Sequence, residues 1–363
     1  MAEERRARMP WLSVLRVGSA VLVIVIHCTA GVVADPGLLG TPVWWICNAA
    51  AVAGRTGLAM FFVLSGALLL PDERTREIGP FYRRRLPRIL VPLLCWDVIY
   101  FLEGVLLGSR ELSLGLFLTE LLAEKGSKYH LWFLYKLVSL YLLLPFFQRM
   151  ADGCTRREKK ILLLVILLPA SILPMADLLP RVSVDLFSPP MEGRLGYFLL
   201  GPMLMETDPA SLRKRTRVLL YAAGAAGLVL NTLGNYWGSS PGRVDLRFSG
   251  GCTLTYYIAC AAAFLLCREL LEGRTEGLRG RLAAAAEHLA PLTYGIYLCH
   301  PLFLDLAAAL TANTGLGTAW GLVVQFLFTA LCAAAASWVL GRERHLRGLL
   351  ITGPVWRDRA RLP

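Results

Sequence analysis

The sequence predicts an all-α integral membrane protein, a single polytopic bundle of about ten transmembrane helices with both termini in the cytoplasm. Three observations predict this fold. Of the 363 residues, 56% are hydrophobic and only 18% are charged, whereas about a quarter of the residues in a soluble domain are charged. Apolar runs of about 20 residues, the length that a helix needs to cross a bilayer, recur along the chain. The basic residues lie between these runs and not in one patch.

The candidate spans follow one another with short connections. The first follows Arg5, Arg6 and Arg8 as the core of a signal peptide would, but it is longer than such a core and further apolar segments follow, so we treat it as retained. Residues 194–206 are the weakest candidate, because they are short and contain Gly201-Pro202; a broken or tilted helix is tolerated inside a bundle. Residues 112–122 are too short to cross and are expected at the interface. The ten candidates are 10–33, 43–70, 89–108, 130–148, 161–179, 194–206, 217–236, 252–270, 291–312 and 316–341.

The distribution of basic residues predicts the orientation of the bundle. With the N-terminus inside, 28 of the 38 Lys and Arg residues fall in cytoplasmic connections and 6 fall in outer ones, as the positive-inside rule requires. Dispersed cations of this kind are topology signals near anionic lipid, which excludes nucleic-acid binding as the reason for the net charge of +12. We therefore predict one transmembrane domain over residues 1–341 and a basic cytoplasmic tail over residues 342–363, mobile or lying on the membrane surface.

The cysteines do not indicate a metal or redox site. There are nine of them, mostly inside apolar stretches, with no C-x-x-C motif and no Cys/His cluster at metal-ligand spacing. We interpret them as small buried hydrophobic residues and expect no metal cofactor.

Arg16 and His27 are ionisable residues inside the first span. They are 11 positions apart, which is close to three helical turns and places them on one face about 16 Å apart. Ionisable groups at this depth are costly and usually face an internal cavity, so the pair is a candidate functional site. The alternative is that Arg16 extends to the inner interface and His27 only bonds a neighbouring helix.

Arg55 lies deep in the second span and needs an anion, a carbonyl group or a ligand as its partner. Asp97 and Glu103, on the third span, are expected to form structural pairs with Arg55 or Lys136.

Arg85 and Arg88 lie on one side of the helix that enters the third span. Because the planar guanidinium group matches phosphate oxygens, these residues are candidate phosphate contacts. The alternative is that they are ordinary cytoplasmic arginines of the positive-inside pattern.

Two histidine-containing blocks complete the candidate site. His130 opens the fourth span together with Trp132 and Tyr135, and these aromatic residues fit either an interfacial belt or a platform on which a sugar stacks. His300 lies in the middle of a later span, directly before Pro301. The proline is expected to open the helix and to direct the imidazole inward.

Taken together, these motifs resemble the membrane-bound acyltransferase 3 family of bacterial O-acetyltransferases over essentially the whole chain. The single-domain layout is most similar to the group that contains the enterobacterial common antigen acetyltransferase. The resemblance depends on five features in the same order, namely Arg16 with His27, residues 61–66 (FFVLSG) after Arg55, Arg85 with Arg88, residues 129–135 (YHLWFLY) and residues 294–301 (YGIYLCHP).

The resemblance implies a multi-pass enzyme of the bacterial inner membrane that transfers an acyl group, in most cases acetyl, from cytoplasmic acetyl-CoA to a hydroxyl of an envelope carbohydrate or lipid-linked glycan. It implies that His27 is catalytic with Arg16 as its companion, and that Arg85 and Arg88 contact the CoA phosphates. Arg55 is assigned to the donor, and His130, Trp132, Tyr135 and His300 to the acceptor. Family members often carry an acidic residue three positions before the first-helix arginine, where this chain has Ser13, so an ion pair that orients Arg16 is in doubt.

O-acylation requires a base for the hydroxyl proton and groups that stabilise the oxyanion formed from the thioester carbonyl. A neutral imidazole suits the first task, so we predict that His27 is the general base, with a transient acyl-histidine as the alternative. Arg16 is too far from His27 to touch the same carbonyl and is expected to line the path of the pantetheine arm. The one G-x-S-x-G match in the sequence, residues 238–242, lies in a short connection between two apolar spans and not between a strand and a helix, so a hydrolase has no support.

The alternative class of protein is a transporter of a small polar solute such as an amino acid, which also places His, Arg and Lys inside a bundle. The related membrane domain of the vancomycin-resistance serine racemases, which is associated with serine transport, makes this alternative specific. Transporters usually have two related halves with matched broken helices, and Gly201-Pro202 is the only such break that we find in the sequence. The sequence therefore favours acyl transfer and does not identify the acceptor.

Overall fold

The protein is a polytopic helical membrane protein. The structure, a computed structural model, describes residues 9–123, 126–176, 193–273, 276–312, 314–315 and 317–352, and these residues form helices and connections without a β-strand. Seven helical segments in this part of the chain are long and apolar enough to cross a membrane. They are Pro10–Ala34, Pro42–Leu69, Ile78–Leu106, Lys214–Gly238, Arg247–Leu271, Gly277–Thr311 and Thr318–Arg342.

The described helices are numbered here in chain order. They are α1 (Pro10–Ala34), α2 (Pro42–Leu69), α3 (Ile78–Arg85), α4 (Pro87–Leu106), α5 (Leu114–Leu122), α6 (Trp132–Gly153), α7 (Arg156–Ala176), α8 (Arg194–Met205), α9 (Lys214–Gly238), α10 (Leu254–Leu271), α11 (Gly277–Leu289), α12 (Thr293–Thr311), α13 (Thr318–Arg342) and α14 (Arg344–Leu350).

Seven of the ten predicted spans therefore coincide with helices of spanning length and composition. The other three predicted spans, 130–148, 161–179 and 194–206, coincide with α6, α7 and α8, which are helical but are not among those seven segments. Residues 177–179 of the second of these lie outside the described residues. The number of ten, and the cytoplasmic location of both termini, stay predictions.

Helices α1 and α2 cross at close range because two glycines of α2 face α1. A Cβ atom at Gly54 would lie 2.9 Å from the carbonyl oxygen of Leu22, and one at Gly57 would lie 3.0 Å from that of Ser19. Since nearly any side chain at these positions would push the helices apart, the two glycines set the distance between the backbones. Arg55 is thereby held beside the C-terminal half of α1, near His27.

The glycine of the FFVLSG segment has a similar role toward α8. A Cβ atom at Gly66 would collide with the carbonyl oxygen of Phe198, and one at Gly201 would collide with that of Val63. Of the two predicted alternatives for this segment, a broken or a tilted helix, the break is wrong, because α8 is continuous with Pro202 inside it. Gly201 does not interrupt the helix; its lack of a side chain allows the close approach of the α8 and α2 backbones.

The segment predicted to lie at the interface forms α5, a nine-residue helix with exposed leucines at positions 114, 118 and 122. Arg110 connects it to the bundle: its guanidinium donates to Glu120 Oε1 at 2.8 Å and to the carbonyl oxygen of Ser127 at 2.7 Å.

The region after α13 is packed against the bundle. Helix α14 follows directly, and Trp96 Nε1 on α4 donates a hydrogen bond to the carbonyl oxygen of Leu350 at 2.9 Å. Ile351 is only 5% exposed. The start of the predicted tail thus packs against the bundle, because an apolar side chain and a backbone acceptor are buried there. Residues 353–363 of the tail lie outside the described residues.

Candidate active site

Three histidines that are distant in the sequence meet inside the bundle. His27 lies on α1, His130 in the turn before α6, and His300 on α12. The rings of His27 and His300 are stacked, with centroids 5.2 Å apart and planes inclined by 30°. The ring of His130 meets that of His300 edge to face at 5.3 Å. His130 and His300 are buried, whereas His27 is half-buried, so His27 is the least buried member of the cluster.

Tyr129 covers the cluster from the side of the α5–α6 connection. Its ring centroid lies 4.8 Å from that of His27, and the residue is 41% exposed. Tyr100 and Tyr297 surround His130, with ring centroids 5.1 Å and 5.4 Å from the imidazole. The hydroxyl of Tyr297 donates to the carbonyl oxygen of His130, which fixes the turn that carries this histidine.

Pro301 explains how α12 offers hydrogen-bond acceptors to these side chains. A proline within a helix lacks the N–H that bonds the carbonyl four residues earlier, and its ring disturbs the preceding turn. In α12 the carbonyl oxygen of Tyr297 instead lies 2.7 Å from His300 Nδ1, and that of Leu298 accepts a hydrogen bond from the Tyr100 hydroxyl at 2.6 Å. The sequence had suggested that Pro301 opens the helix, but α12 continues through it. The imidazole of His300 is directed inward, as the sequence had also suggested.

Arg55 provides positive charge beside His27. The α1–α2 crossing brings its guanidinium within electrostatic range of His27 and of the Tyr256 hydroxyl on α10. Arg55 Nε is buried without a hydrogen-bond partner among the described residues. A buried guanidinium of this kind can donate a hydrogen bond to an oxygen atom of a ligand.

A pocket rich in arginine lies at the other end of α2, where this helix leads through a short turn into α3 and α4. Its cavity volume is about 80 Å³. Asp72 lies in the pocket and forms ion pairs with Arg74 at 3.0 Å and with Arg85 at 3.9 Å. Four arginines against one carboxylate favour a ligand with several negative charges. The lining residues are Asp72, Arg74, Thr75, Phe81, Arg84, Arg85 and Arg88.

Tyr141 connects this arginine pocket with α1. Its hydroxyl is within electrostatic range of Arg85, Arg16 and Arg88, and it lies close to the hydroxyl of Ser65 on α2. Tyr294 on α12 is near Tyr141, and its own hydroxyl is buried without a partner among the described residues. Arg16 thus belongs to the pocket end of the bundle, three helical turns along α1 from His27.

Two of the predicted acceptor residues are not part of the histidine cluster. The Trp132 ring stacks on the guanidinium of Arg194, 4.7 Å from its centroid. The hydroxyl of Tyr135 lies 2.6 Å from Asp97 Oδ2 and 2.8 Å from the carbonyl oxygen of Leu121. Both contacts join neighbouring elements of the fold. Of the three residues assigned to the acceptor from this block, only His130 therefore lies in the cluster, and Trp132 and Tyr135 pack against other elements.

The carboxylates of the third predicted span have structural partners, as expected. Asp97 also accepts a hydrogen bond from the backbone N–H of Ser127 at 2.6 Å. Glu103 pairs with Lys128 at 2.8 Å, and Lys128 pairs in turn with Asp305 at 2.6 Å. For Glu103 the bonded cation is therefore Lys128 and not one of the two predicted partners, because the turn before α6 folds back over α4.

Sequence reasoning did not identify Arg74, Arg84, Ser65, Tyr141 and Tyr294. For Tyr141 the only signal was a phenol within an apolar segment, which is also typical of ordinary core packing. Tyr294 opens one of the motifs quoted above, but no role was assigned to it. Across the described residues, no group of three or more His, Cys, Asp and Glu side chains has an arrangement that could hold a metal ion. The histidine cluster is therefore considered as a site for acid–base chemistry.

The sequence of residues 9–342 matches the model of one protein family, described as an acyltransferase domain. Neither a curated protein nor a solved structure matches the sequence.

Proposed function

Because the chain belongs to the acyltransferase family whose model matches residues 9–342, we propose that it is a membrane O-acetyltransferase that uses acetyl-CoA and modifies an envelope carbohydrate or a lipid-linked glycan in the bacterial inner membrane. The observation that carries this proposal is that one helix, α1, connects two sites. His27 lies in the histidine cluster, and Arg16 lies beside the arginine pocket.

The arginine pocket suits the phosphates of the donor. Arg85 and Arg88 bind phosphate oxygens through their guanidinium groups, and Arg74 and Arg84 line the same pocket. The pantetheine arm then extends along α1, past Arg16 and Tyr141, toward His27. The separation of about 16 Å between Arg16 and His27 is within the reach of the extended arm.

At the histidine cluster, His27 takes the proton of the acceptor hydroxyl as this oxygen attacks the thioester carbonyl. Arg55 stabilises the oxyanion, since its guanidinium is buried close to His27. The C–O bond of the ester forms and the C–S bond of the thioester breaks. His27 returns the proton to the departing thiolate, so protons balance over the reaction.

The acceptor enters from the side of Tyr129, where the cluster is open. Tyr129 is partly exposed and its ring lies against His27, and an aromatic face of this kind stacks on sugar rings. In this assignment Trp132 and Tyr135 support the fold around the acceptor path, and His130 lines its inner end.

Labelled acetyl-CoA supplied to membranes together with an envelope extract tests this function. We expect label to become covalently attached to a carbohydrate fraction and to be released by mild base, as an ester is. Membranes from cells that lack the protein are the control. Accumulation of a free solute without covalent label would instead support the transporter class and overturn the proposal.

A further inference from the structure

The proline of α12 leaves a hydrogen-bond acceptor unused by the helix. In an α-helix the carbonyl of Tyr297 would accept from the N–H of residue 301, but that residue is Pro301 and has no N–H. His300 Nδ1 lies 2.7 Å from this carbonyl oxygen. Because a carbonyl oxygen can only accept, Nδ1 must carry a proton, and a neutral His300 then has its lone pair at Nε2.

The other contacts of His300 hold its ring in this orientation. The residue is 0% exposed, and its ring is stacked on that of His27 and meets that of His130. Nε2 is buried without a hydrogen-bond partner among the described residues. A flip of the ring would break the bond to Tyr297 and leave Nδ1 buried and unsatisfied as well, which is costly in an apolar interior.

We propose that His300 and Pro301 form a tautomer lock that positions the catalytic ring of His27. His300 is a positioning residue here, in place of the acceptor contact that its sequence motif suggested. The freed carbonyl fixes the tautomer and the plane of His300, and the stacked ring of His27 takes its plane from His300. The inference rests on the proposed role of His27 as the base.

Pro301→Ala is the decisive variant because it restores the backbone N–H that the Tyr297 carbonyl lacks and leaves the His300 side chain unchanged. The alanine introduces a backbone N–H, which competes with His300 Nδ1 for the Tyr297 carbonyl. Since alanine favours a helix over proline, we expect a thermal midpoint at least equal to that of wild type. Turnover should nevertheless fall by about 10- to 100-fold, the effect of a small misplacement of a catalytic group, with an unchanged KM for acetyl-CoA.

Pro145→Ala is the matched control. Pro145 is a buried proline inside α6 and does not follow a histidine, so its removal should leave turnover within about twofold of wild type, a change too small to indicate a lost catalytic contact. If this variant loses as much activity as Pro301→Ala, a general effect of helix prolines explains both results and the lock is wrong.

Substitutions of His300 test the same contact from the side chain. The amide of asparagine can donate to the Tyr297 carbonyl from the position of Nδ1, whereas glutamine and phenylalanine cannot. His300→Asn should therefore retain more turnover than His300→Gln or His300→Phe. Adding Pro301→Ala to His300→Phe should cause no further loss, because the bond is already absent; full additivity of the two losses would overturn the proposal.

A spectroscopic measurement separates the lock from the proposed function. The chain has only five histidines, so nitrogen-15 NMR of histidine-labelled full-length protein in detergent resolves the tautomers, and His300→Asn assigns the signal. We expect the Nδ1–H form in wild type, and in Pro301→Ala a shift toward Nε2–H with broadened His27 signals. An Nε2–H form in wild type, or unchanged His27 signals in Pro301→Ala, would overturn the lock. Absence of acetyl transfer in wild type would overturn the function and leave this result standing.

Discussion

The ring of His27 on α1 is stacked on the ring of His300 on α12, with centroids 5.2 Å apart. The two helices come from opposite ends of the chain, yet they place one half-buried and one fully buried imidazole in contact. His27 is the less buried of the two residues, and the ring of His300 is held by a hydrogen bond to the backbone. This difference is the reason for assigning proton transfer to His27.

Substitution of His27 should remove catalysis without preventing folding. We expect His27→Ala to lower turnover by about 10² to 10⁴, the usual contribution of a general base. His27→Gln keeps a polar group at the same depth and should lose a similar amount. The measurement is acetyl transfer by membranes containing equal amounts of each protein, with the exposed His288 on α11 replaced by alanine as the control. Activity of His27→Gln equal to that of the control would remove His27 from the mechanism.

The arginine pocket should govern binding of the donor. Replacing Arg85 or Arg88 with glutamine is expected to raise the KM for acetyl-CoA more than it lowers kcat, because contacts far from the reacting carbon contribute equally to the ground state and the transition state. Lysine at either position should recover only part of the loss, since it lacks the bidentate fork. Arg84 was not identified from the sequence but lines the same pocket. We expect Arg84→Gln also to raise the KM for acetyl-CoA more than it lowers kcat.

Arg83→Gln is the matched control for the pocket, because Arg83 is exposed on the same helix and does not line the pocket. Its KM should equal that of wild type. If Arg83→Gln and Arg85→Gln have the same KM, the arginines of α3 and α4 serve only the topology of the chain.

Acetyl-CoA should reach the arginine pocket, and the acceptor should reach the histidine cluster, from opposite sides of the membrane. The distribution of basic residues predicts that the arginine pocket faces the cytoplasm, and His27 lies about 25 Å along α1 from its inner end. In sealed vesicles, acetyl-CoA should support transfer only from the face that bears the pocket, and the acceptor only from the opposite face. Efficient transfer with donor and acceptor confined to one face would contradict delivery through the membrane.

The contact of α2 with α8 should tolerate no side chain at Gly66. A Cβ atom there would collide with the backbone of Phe198, so Gly66→Ala should destabilise the protein by about 1–3 kcal/mol, as overpacking of a core does. Gly18→Ala is the control, because a Cβ at Gly18 on α1 meets nothing within 4 Å. Thermal unfolding in detergent compares the two, and equal midpoints would show that α2 and α8 can separate at little cost.

Much of the fold could be predicted from the sequence because a bilayer imposes simple constraints. A spanning helix needs about 20 apolar residues, and seven of the predicted spans were confirmed as such helices. The same constraint identified His27, Arg55 and His300, since an ionisable side chain at depth is unusual enough to stand out. The family was also recognisable, because its motifs occur in a fixed order along the chain.

The grouping of these residues required the tertiary structure. His130, Trp132 and Tyr135 lie within one short block, but only His130 reaches the cluster, because Tyr135 is held by Asp97 and Trp132 by Arg194. Likewise, nothing near Tyr141 in the sequence associates it with Arg16 and Arg85. Side-chain contacts between helices depend on how the helices cross, and that is set by close backbone approaches such as the one at Gly54.

The sequence by itself thus determined which residues lie at membrane depth and are too costly to be there without a role, because hydropathy and charge are local properties. The tertiary structure alone decided which of these residues share a site and which nitrogen of His300 is protonated. That last feature depends on a carbonyl left free by Pro301 and on the buried rings of His27 and His130 around it, and such a combination arises only when three separate segments have packed together.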